Sequence, residues 1–151
     1  MKASDLMTKS PKTCEPSHDL KCTIEIMKSE DTGIVPVTEG NGETRVVGVA
    51  TDRDIALILG ERDARPSEVK VADLMNSDVV SVPPDADIAE VSRKMQKAQV
   101  RRVLVVDGRR LVGIISTADL ARASARKEGV LGEEVESVIE KVSEDTGHAR
   151  A

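Results

Sequence analysis

An internal repeat constrains this chain more than any other feature, because one pattern of residues occurs twice within 151 residues. Gly48–Ala56 reads GVATDRDIA and Gly113–Ala121 reads GIISTADLA. Both stretches have Gly, two apolar residues, then Thr or Ser, with Asp three residues further on. Upstream, SDLM at Ser4–Met7 returns as ADLM at Ala72–Met75. Two ordered copies of one pattern predict two similar substructures.

The order of predicted elements is the same in both copies. A short extended piece precedes an amphipathic helix, which in the first copy has Leu20, Ile24 and Met27 at helical spacing. Two runs rich in Val and Ile then predict strands joined by a Gly-containing turn, and a second helix follows. The sequence thus predicts an α/β fold made of two β-α-β-β-α repeats.

The domain boundaries follow from the ends of the two copies. We expect a first repeat over residues 1–60, a linker over 61–70, a second repeat over 71–125, and a C-terminal helix and tail over 126–151. The C-terminal helix is indicated by Val135, Val138, Ile139 and Val142, whose spacing gives one apolar stripe. This helix either packs on its own domain or docks on a partner.

The composition restricts the partners of this chain. It has no Phe, Tyr or Trp, so any bound base must be held by aliphatic side chains and backbone. A formal net charge of −5 argues against nucleic-acid binding, which needs a basic face. The sequence has no apolar run long enough to span a membrane, and its start lacks the apolar middle of a signal peptide. We therefore expect a cytoplasmic protein that contacts neither nucleic acid nor membrane.

Two cysteines and a histidine form the pattern C-x3-H-x3-C at Cys14, His18 and Cys22. Structural zinc is usually bound by four ligands and this pattern supplies three, with Cys14 in a predicted strand and Cys22 in a predicted helix. Two cysteines also do not make a disulfide framework. We therefore expect two small half-buried residues and no metal site.

The second helix of the first copy contains five consecutive apolar residues, IALIL at Ile55–Leu59. A helix that is apolar all round has no solvent face at that point. One side can cover its own sheet, and the other must meet the second repeat or another chain. Oligomerisation and burial within one pseudo-symmetric monomer both remain open.

The two matching stretches have a structural and a functional interpretation. TDRD at Thr51–Asp54 and STAD at Ser116–Asp119 both fit the capping box, in which a hydroxyl and an acid satisfy backbone N–H groups at a helix start. The same arrangement suits a nucleotide. The helix N-terminus offers N–H groups to a phosphate, and the carboxylate can accept hydrogen bonds from a ribose diol. Gly three residues before each cap would permit close backbone approach.

These residues resemble a tandem pair of CBS domains, the cystathionine β-synthase type of domain that pairs into a Bateman module. The resemblance covers about residues 3–124 and rests on the two G-h-h-[ST]-x-x-D stretches together with DLM at Asp5–Met7 and Asp73–Met75, GIVPV at Gly33–Val37 and RRVLVVD at Arg101–Asp107. It implies repeats packed with pseudo-twofold symmetry around a central cleft. Such modules commonly bind AMP, ADP or ATP, sometimes S-adenosylmethionine or a dinucleotide. They usually pair into homodimers of four CBS units.

The resemblance also implies roles for individual residues. Asp54 and Asp119 would hold ribose hydroxyls, and Thr51 and Ser116 would contact ribose or phosphate. The base would meet the extended pieces Thr13–Cys14 and Ser81–Val82 and the apolar walls Val35–Pro36 and Val103–Leu104.

Basic residues would contact the phosphates. Arg101 and Arg102 lie where the family often has basic residues aimed at phosphates, whereas the first copy has Gly33–Ile34 there. Arg53 belongs to the first copy alone, since the second has Ala118 at that position. We therefore expect the two sites to differ in phosphate preference.

The resulting hypothesis is a non-catalytic regulatory module that binds an adenosine-containing nucleotide in the cleft between CBS repeats and signals to a separate effector protein. It requires no cofactor. The alternatives are a structural homodimerisation module with unoccupied clefts, and a binder of S-adenosylmethionine or a dinucleotide. An enzyme is not indicated, because the sequence has no P-loop, nucleophile elbow or four-ligand zinc pattern.

Overall fold

The computed structural model describes residues 1–40 and 44–126, which fold into two compact units. The first-repeat unit contains the described residues of 10–79 and 109–111, and the second-repeat unit contains 1–9, 80–108 and 112–126. The leading segment of each copy therefore packs in the unit formed by the other copy. The DLM stretch at Asp5–Met7 belongs to the second-repeat unit, and the DLM stretch at Asp73–Met75 belongs to the first-repeat unit.

The helices and strands confirm the predicted α/β fold of two β-α-β-β-α repeats. In chain order they are α1 (Ala3–Leu6), β1 (Thr8–Lys9), α2 (Leu20–Glu30), β2 (Ile34–Glu39), β3 (Arg45–Thr51), α3 (Asp52–Arg62), β4 (Ser81–Val82), α4 (Ile88–Ala98), β5 (Arg102–Asp107), β6 (Arg110–Ser116) and α5 (Thr117–Arg126). Two short turns of 3-10 helix, Pro66–Glu68 and Val71–Asp73, lie between α3 and β4.

The first-repeat unit is built on an antiparallel hairpin of β2 and β3. Ile34 pairs with Thr51 at one end and Glu39 with Arg45 at the other, so the start of β2 lies beside the end of β3. Helices α2 and α3 pack on this hairpin. Its core consists of Cys14, Leu20, Val35, Val37, Ala50, Ile55, Ile58, Val69 and Val71.

The second-repeat unit repeats this plan. Its leading extended piece forms the two-residue strand β4, whereas the equivalent piece of the first-repeat unit forms only a single bridge at Cys14. β4 pairs in parallel with β5, which lies beside β6, and β6 pairs antiparallel with β1. Helices α4 and α5 contribute apolar residues to one aliphatic core. That core consists of Ala3, Val82, Ala86, Ile88, Val91, Met95, Val103, Val105, Ile115 and Leu120.

The segment expected as a linker is packed against the first-repeat unit. Glu61 and Arg62 complete α3, and Val69 is 1% exposed within the core. The Val69 carbonyl accepts a hydrogen bond from the Leu20 amide at 3.0 Å, which ties the segment to the start of α2. A boundary between the repeats at residues 61–70 stays a prediction, while Val69 within this segment is part of a core.

The IALIL stretch is only partly buried by its own unit. Ile55 and Ile58 lie in the core of the first-repeat unit, whereas Leu57 is 53% exposed. Among the described residues, the large apolar side chain of Leu57 on α3 is therefore left largely uncovered.

The C-terminal helix that we expected in residues 126–151 lies outside the described residues, except that Arg126 ends α5. Among the helices of residues 1–40 and 44–126, none is both long and apolar enough to cross a membrane.

Candidate functional site

Thr51 and Asp54 lie where β3 ends and α3 begins. Thr51 is the N-cap of α3, and its hydroxyl accepts a hydrogen bond from the Asp54 amide at 3.2 Å. The Asp54 side chain is half-buried, and its carboxylate has no hydrogen bond or ion pair to any residue within 1–40 and 44–126. The acid half of the predicted capping box is therefore missing here. An ionised carboxylate has about four acceptor positions, so Asp54 keeps its capacity to accept from a ligand.

Ser116 and Asp119 hold the corresponding positions at the end of β6 and the start of α5, and here the capping box is complete. The Ser116 hydroxyl accepts from the Asp119 amide at 3.2 Å. In return, Asp119 Oδ2 accepts from the Ser116 amide at 2.7 Å and from its hydroxyl at 2.8 Å. Arg122 adds an ion pair to Asp119 Oδ1. The second copy thus engages both carboxylate oxygens, whereas the first engages neither among the described residues.

One backbone hydrogen bond in each unit brings the start of a strand beside the start of a helix. The Asp52 amide donates to the Gly33 carbonyl at 2.9 Å, and the Thr117 amide donates to the Arg101 carbonyl at 3.0 Å. These bonds place the residues that precede β2 and β5 next to the two helix caps. A side chain at either position would therefore stand beside the cap.

The charge around the two caps differs. In the second copy Arg101 is exposed and Arg102 is half-buried, and both already have interaction partners within the structure. In the first copy Gly33 replaces Arg101, and a Cβ built on Gly33 would lie 2.9 Å from Asp52 Oδ2. Arg53 is exposed on the first turn of α3. The first cap therefore has the Asp52 carboxylate beside Gly33, and the second cap has Arg101 at the equivalent backbone position.

The predicted base-contacting pieces occupy equivalent places in both units. Cys14 bridges Val37 in parallel, with its amide donating to the Pro36 carbonyl at 3.2 Å. Thr13 precedes it, and its hydroxyl accepts from the Thr38 hydroxyl at 3.1 Å. In the second copy the same pairing is made by β4, in which Ser81 pairs with Leu104 and Val82 with Val105.

The predicted apolar walls divide between two faces of their strands. Val35 and Val103 are 0% and 1% exposed and pack in the cores beneath the helices. Their side chains are therefore enclosed by their own units. Pro36 and Leu104 alternate to the opposite faces and are also buried.

Ile34 is a further candidate wall residue, which was not predicted from the sequence. It is half-buried and lies two residues before Pro36, on the same face of β2. Period-two alternation along GIVPV would have identified it, because residues at even spacing share a face.

The two strand glycines do not leave open space for a ligand, which corrects the expectation drawn from them. A Cβ on Gly48 would lie 2.9 Å from the Asn76 carbonyl oxygen. A Cβ on Gly113 would lie 2.8 Å from the Met7 Cβ. The close approach permitted by each glycine is therefore used by the chain itself.

The cysteines form a Cys14–Cys22 disulfide, so the expectation of two unlinked half-buried residues is wrong. Cys14 lies beside β2 and Cys22 in the first turns of α2, and the packing of that helix brings their Cα atoms to 6.3 Å. This separation is within the usual range for a disulfide.

Potential ligand atoms of Cys14, His18 and Cys22 all lie within 4.8 Å of one another. Sequence spacing alone could not show that a strand and a helix bring the three together.

Comparison with known proteins supplies a family. The CBS domain model matches residues 3–61 and 71–126. The protein YlbB of Bacillus subtilis (strain 168) is 35% identical over 127 residues, which is 84% of this chain and 84% of that protein.

Three solved structures are similar to this chain. Hypoxic Response Protein I with two coordinated zinc ions is 31% identical with a TM-score of 0.71, covering 81% of this chain and 98% of that one. CBSX2 in complex with AMP is 26% identical with a TM-score of 0.69, covering 83% and 96%. The CBS domain pair of MJ0100 in complex with 5′-methylthioadenosine and S-adenosyl-L-methionine is 26% identical with a TM-score of 0.72, covering 84% and 98%.

The family match falls on both copies of the repeat, in the order in which the β-α-β-β-α elements occur. The chain therefore belongs to the CBS-domain family and carries two CBS domains in tandem.

Proposed function

We propose that this protein is a non-catalytic sensor that binds an adenosine-containing nucleotide beside its helix caps. Each site would lie within one unit. The first would use Thr51 and Asp54, and the second would use Ser116 and Asp119. The cap hydroxyl and the first amides of the helix would face the ribose and phosphate, while the carboxylate would accept hydrogen bonds from the ribose diol.

The observation that carries this proposal is the unused carboxylate of Asp54. No described residue engages this half-buried carboxylate, so its acceptor positions remain available to a ligand. The equivalent Asp119 already accepts two hydrogen bonds from Ser116. The first site is therefore the better prepared of the two for a nucleoside.

The charges near the caps favour different ligands. Asp52 and Asp54 surround the first cap with carboxylates, and Arg53 is exposed there. The first site should accordingly accept few phosphates, as in AMP, or a neutral or cationic adenosine derivative. Arg101 and Arg102 near the second cap favour a di- or triphosphate, since guanidinium groups bind phosphate with charge-assisted hydrogen bonds.

The ligands of similar structures support this range. CBSX2 binds AMP, and the MJ0100 domain pair binds 5′-methylthioadenosine and S-adenosyl-L-methionine. All three molecules contain an adenosine group. Because the chain has no aromatic residue, the adenine would pack against aliphatic side chains such as Ile34 and against the backbone at Thr13 and Ser81.

The output of this sensor would be read by a separate effector protein. A ligand changes the population of a conformation only by binding that conformation more tightly than the alternative. We propose that the protein works as a homodimer in the cytoplasm. Leu57 and Met1 are the large apolar side chains exposed in the described part of the chain, and Leu57 would lie in the dimer contact.

Isothermal titration of the full chain with AMP, ATP, S-adenosylmethionine and 5′-methylthioadenosine tests the proposal. We expect saturable binding of at least one ligand by the wild type, and loss of binding at the first site in Asp54→Ala. Glu61→Ala is the matched control, because Glu61 is an exposed acid on the same helix. Absence of binding by folded wild type for all four ligands would instead favour a structural dimerisation module with empty clefts.

A further inference from the structure

We propose that Cys14, His18 and Cys22 form a site for a thiophilic divalent metal ion such as Zn²⁺, and that reduction of the Cys14–Cys22 disulfide opens this site. The three residues lie in the first-repeat unit and take no part in the helix caps. In the oxidised state the two sulfur atoms are bonded to each other and cannot act as thiolate ligands.

The distances between the candidate ligands fit a metal ion. Their donor atoms all lie within 4.8 Å of one another. Ligands on a tetrahedral zinc ion, with bonds of about 2.0–2.3 Å, are separated by roughly 3.5–3.8 Å. Side-chain movements of about 1 Å would therefore bring the three donors onto one ion, once the sulfur–sulfur bond is broken.

The backbone holds these residues in place independently of the disulfide. The His18 carbonyl accepts from the Val71 amide at 2.8 Å. Cys22 is fixed in α2, whose N-cap is Asp19, and Cys14 is fixed beside β2 by its bond to Pro36. Reduction would therefore leave the ligand-bearing backbone close to its present position.

Glu15 provides support around the histidine ring. Its amide donates to His18 Nδ1 at 3.1 Å, and its Oε2 lies 3.9 Å from His18 Nε2. Ligation through Nδ1 would replace the amide contact and leave the Nε2–H group directed to the Glu15 carboxylate. A carboxylate that orients a ligating histidine is a frequent feature of zinc sites.

Exposure at one side would allow the ion and water to enter. The His18 side chain is 47% exposed and Cys22 is half-buried, whereas Cys14 is 1% exposed. Three protein ligands and a solvent molecule complete a tetrahedral zinc shell of the open type. The lack of a fourth ligand among the described residues is thus compatible with a metal site.

The opening step is thiol–disulfide exchange with a dithiol reductant. One reductant thiolate attacks the accessible Cys22 sulfur, the Cys14–Cys22 bond breaks, and Cys14 leaves as a thiolate. The second reductant thiolate then attacks the mixed disulfide, which frees Cys22 and releases the reductant as a cyclic disulfide. Two electrons pass to the protein, and binding of Zn²⁺ displaces any protons taken up by the two sulfurs.

The expected cytoplasmic location would make a metal site controlled by disulfide reduction useful. Disulfides are rare in the cytoplasm, and those that form there are usually transient or redox-sensing. A chain in that compartment would hold Cys14 and Cys22 mainly as thiols. The site would then bind metal under reducing conditions and release it when oxidation restores the disulfide.

Zinc binding by the full chain in its two redox states tests the proposal. Protein is either oxidised or reduced with a dithiol that is then removed under argon, and is titrated with ZnCl₂ against a chromophoric chelator. We expect one Zn²⁺ per chain in the reduced protein and none in the oxidised protein. Equal binding in both states, or no binding by reduced protein whose thiols have been counted, would overturn the proposal.

Variants identify the ligands. Cys22→Ser and His18→Ala alter partly exposed positions, and each should weaken Zn²⁺ binding by reduced protein at least about tenfold. His148→Ala, at the only other histidine of the chain, is the matched control and should bind as the wild type does. Circular dichroism establishes that each variant is folded. Unchanged affinity in both folded ligand variants would contradict the site.

Discussion

Asp119 Oδ2 accepts hydrogen bonds from both the amide and the hydroxyl of Ser116, at 2.7 and 2.8 Å. The matching acid in the first copy, Asp54, accepts no hydrogen bond from Thr51. Thr51 nevertheless caps α3 in the same way as Ser116 caps α5. One sequence pattern therefore yields two states of its carboxylate. The state in the second copy stabilises a helix start, and the state in the first copy leaves a charged acceptor for a ligand.

This difference predicts that two alanine substitutions change stability by different amounts. Asp119→Ala should lower the free energy of unfolding by about 1 kcal/mol, because it removes the acid half of a helix cap. Asp54→Ala should change it by less than about 0.5 kcal/mol, since no described residue pairs with that carboxylate. Urea unfolding without ligand measures both. Equal destabilisation by the two substitutions would mean that Asp54 also has a structural role.

The arginines before β5 predict a phosphate-dependent loss of affinity. Arg101→Ala should weaken ATP binding by roughly tenfold or more, because one charge-assisted contact contributes about 1.5–3 kcal/mol. It should weaken adenosine binding much less. Titration of both ligands measures the difference, with Arg93→Ala as a control at an exposed position of α4. A similar loss for adenosine and ATP would show that Arg101 does not act on phosphate.

The surroundings of three glycines predict how much an added methyl group changes the free energy of unfolding. Gly48→Ala should destabilise the protein by about 1–3 kcal/mol, because the new Cβ would meet the Asn76 backbone. Gly113→Ala should cost at least as much, since the new Cβ would meet the Met7 Cβ, which is fixed to the backbone. Gly60→Ala, with nothing within 4 Å, should stabilise α3 by up to about 1 kcal/mol. Thermal unfolding ranks the three variants, and a harmless Gly48→Ala would contradict the close approach.

Leu57 predicts a change of oligomeric state. If this 53% exposed side chain lies in a homodimer contact, Leu57→Glu should convert the dimer into a monomer, because burying an unpaired carboxylate is unfavourable. Light scattering coupled to size exclusion measures the mass of both proteins. A wild type that is already monomeric, or a variant that remains dimeric, would remove Leu57 from the contact.

Much of the fold could be predicted because the controlling signals are local and occur twice. The helical spacing of Leu20, Ile24 and Met27 and the Val-rich runs place α2, β2 and β3 correctly. The exchange of the leading segments between units could not be predicted. It depends on contacts between residues far apart in sequence, such as the bridge between Lys2 and Asp87.

The candidate site could be predicted only in part, because it too depends on contacts that the sequence does not reveal. The cap residues Thr51 and Ser116 follow from the capping pattern, which is local. Side-chain conformation decides whether the acid accepts a hydrogen bond from its own cap residue. Asp119 does so and Asp54 does not, although their sequence patterns match. The Cys14–Cys22 disulfide depends on the packing of α2 beside β2, which the spacing of the cysteines does not reveal.

The central claim is that the Asp54 carboxylate holds the ribose diol of a bound nucleoside. Affinities of AMP and 2′,3′-dideoxy-AMP for the wild type and for Asp54→Ala, measured by calorimetry, form a double-mutant cycle that tests this contact directly. We predict that the first site of the wild type binds the dideoxy compound at least about tenfold more weakly than AMP, and that the first site of Asp54→Ala binds both equally. A wild type that does not distinguish the two compounds, or an equal preference for AMP in both proteins, would contradict the claim.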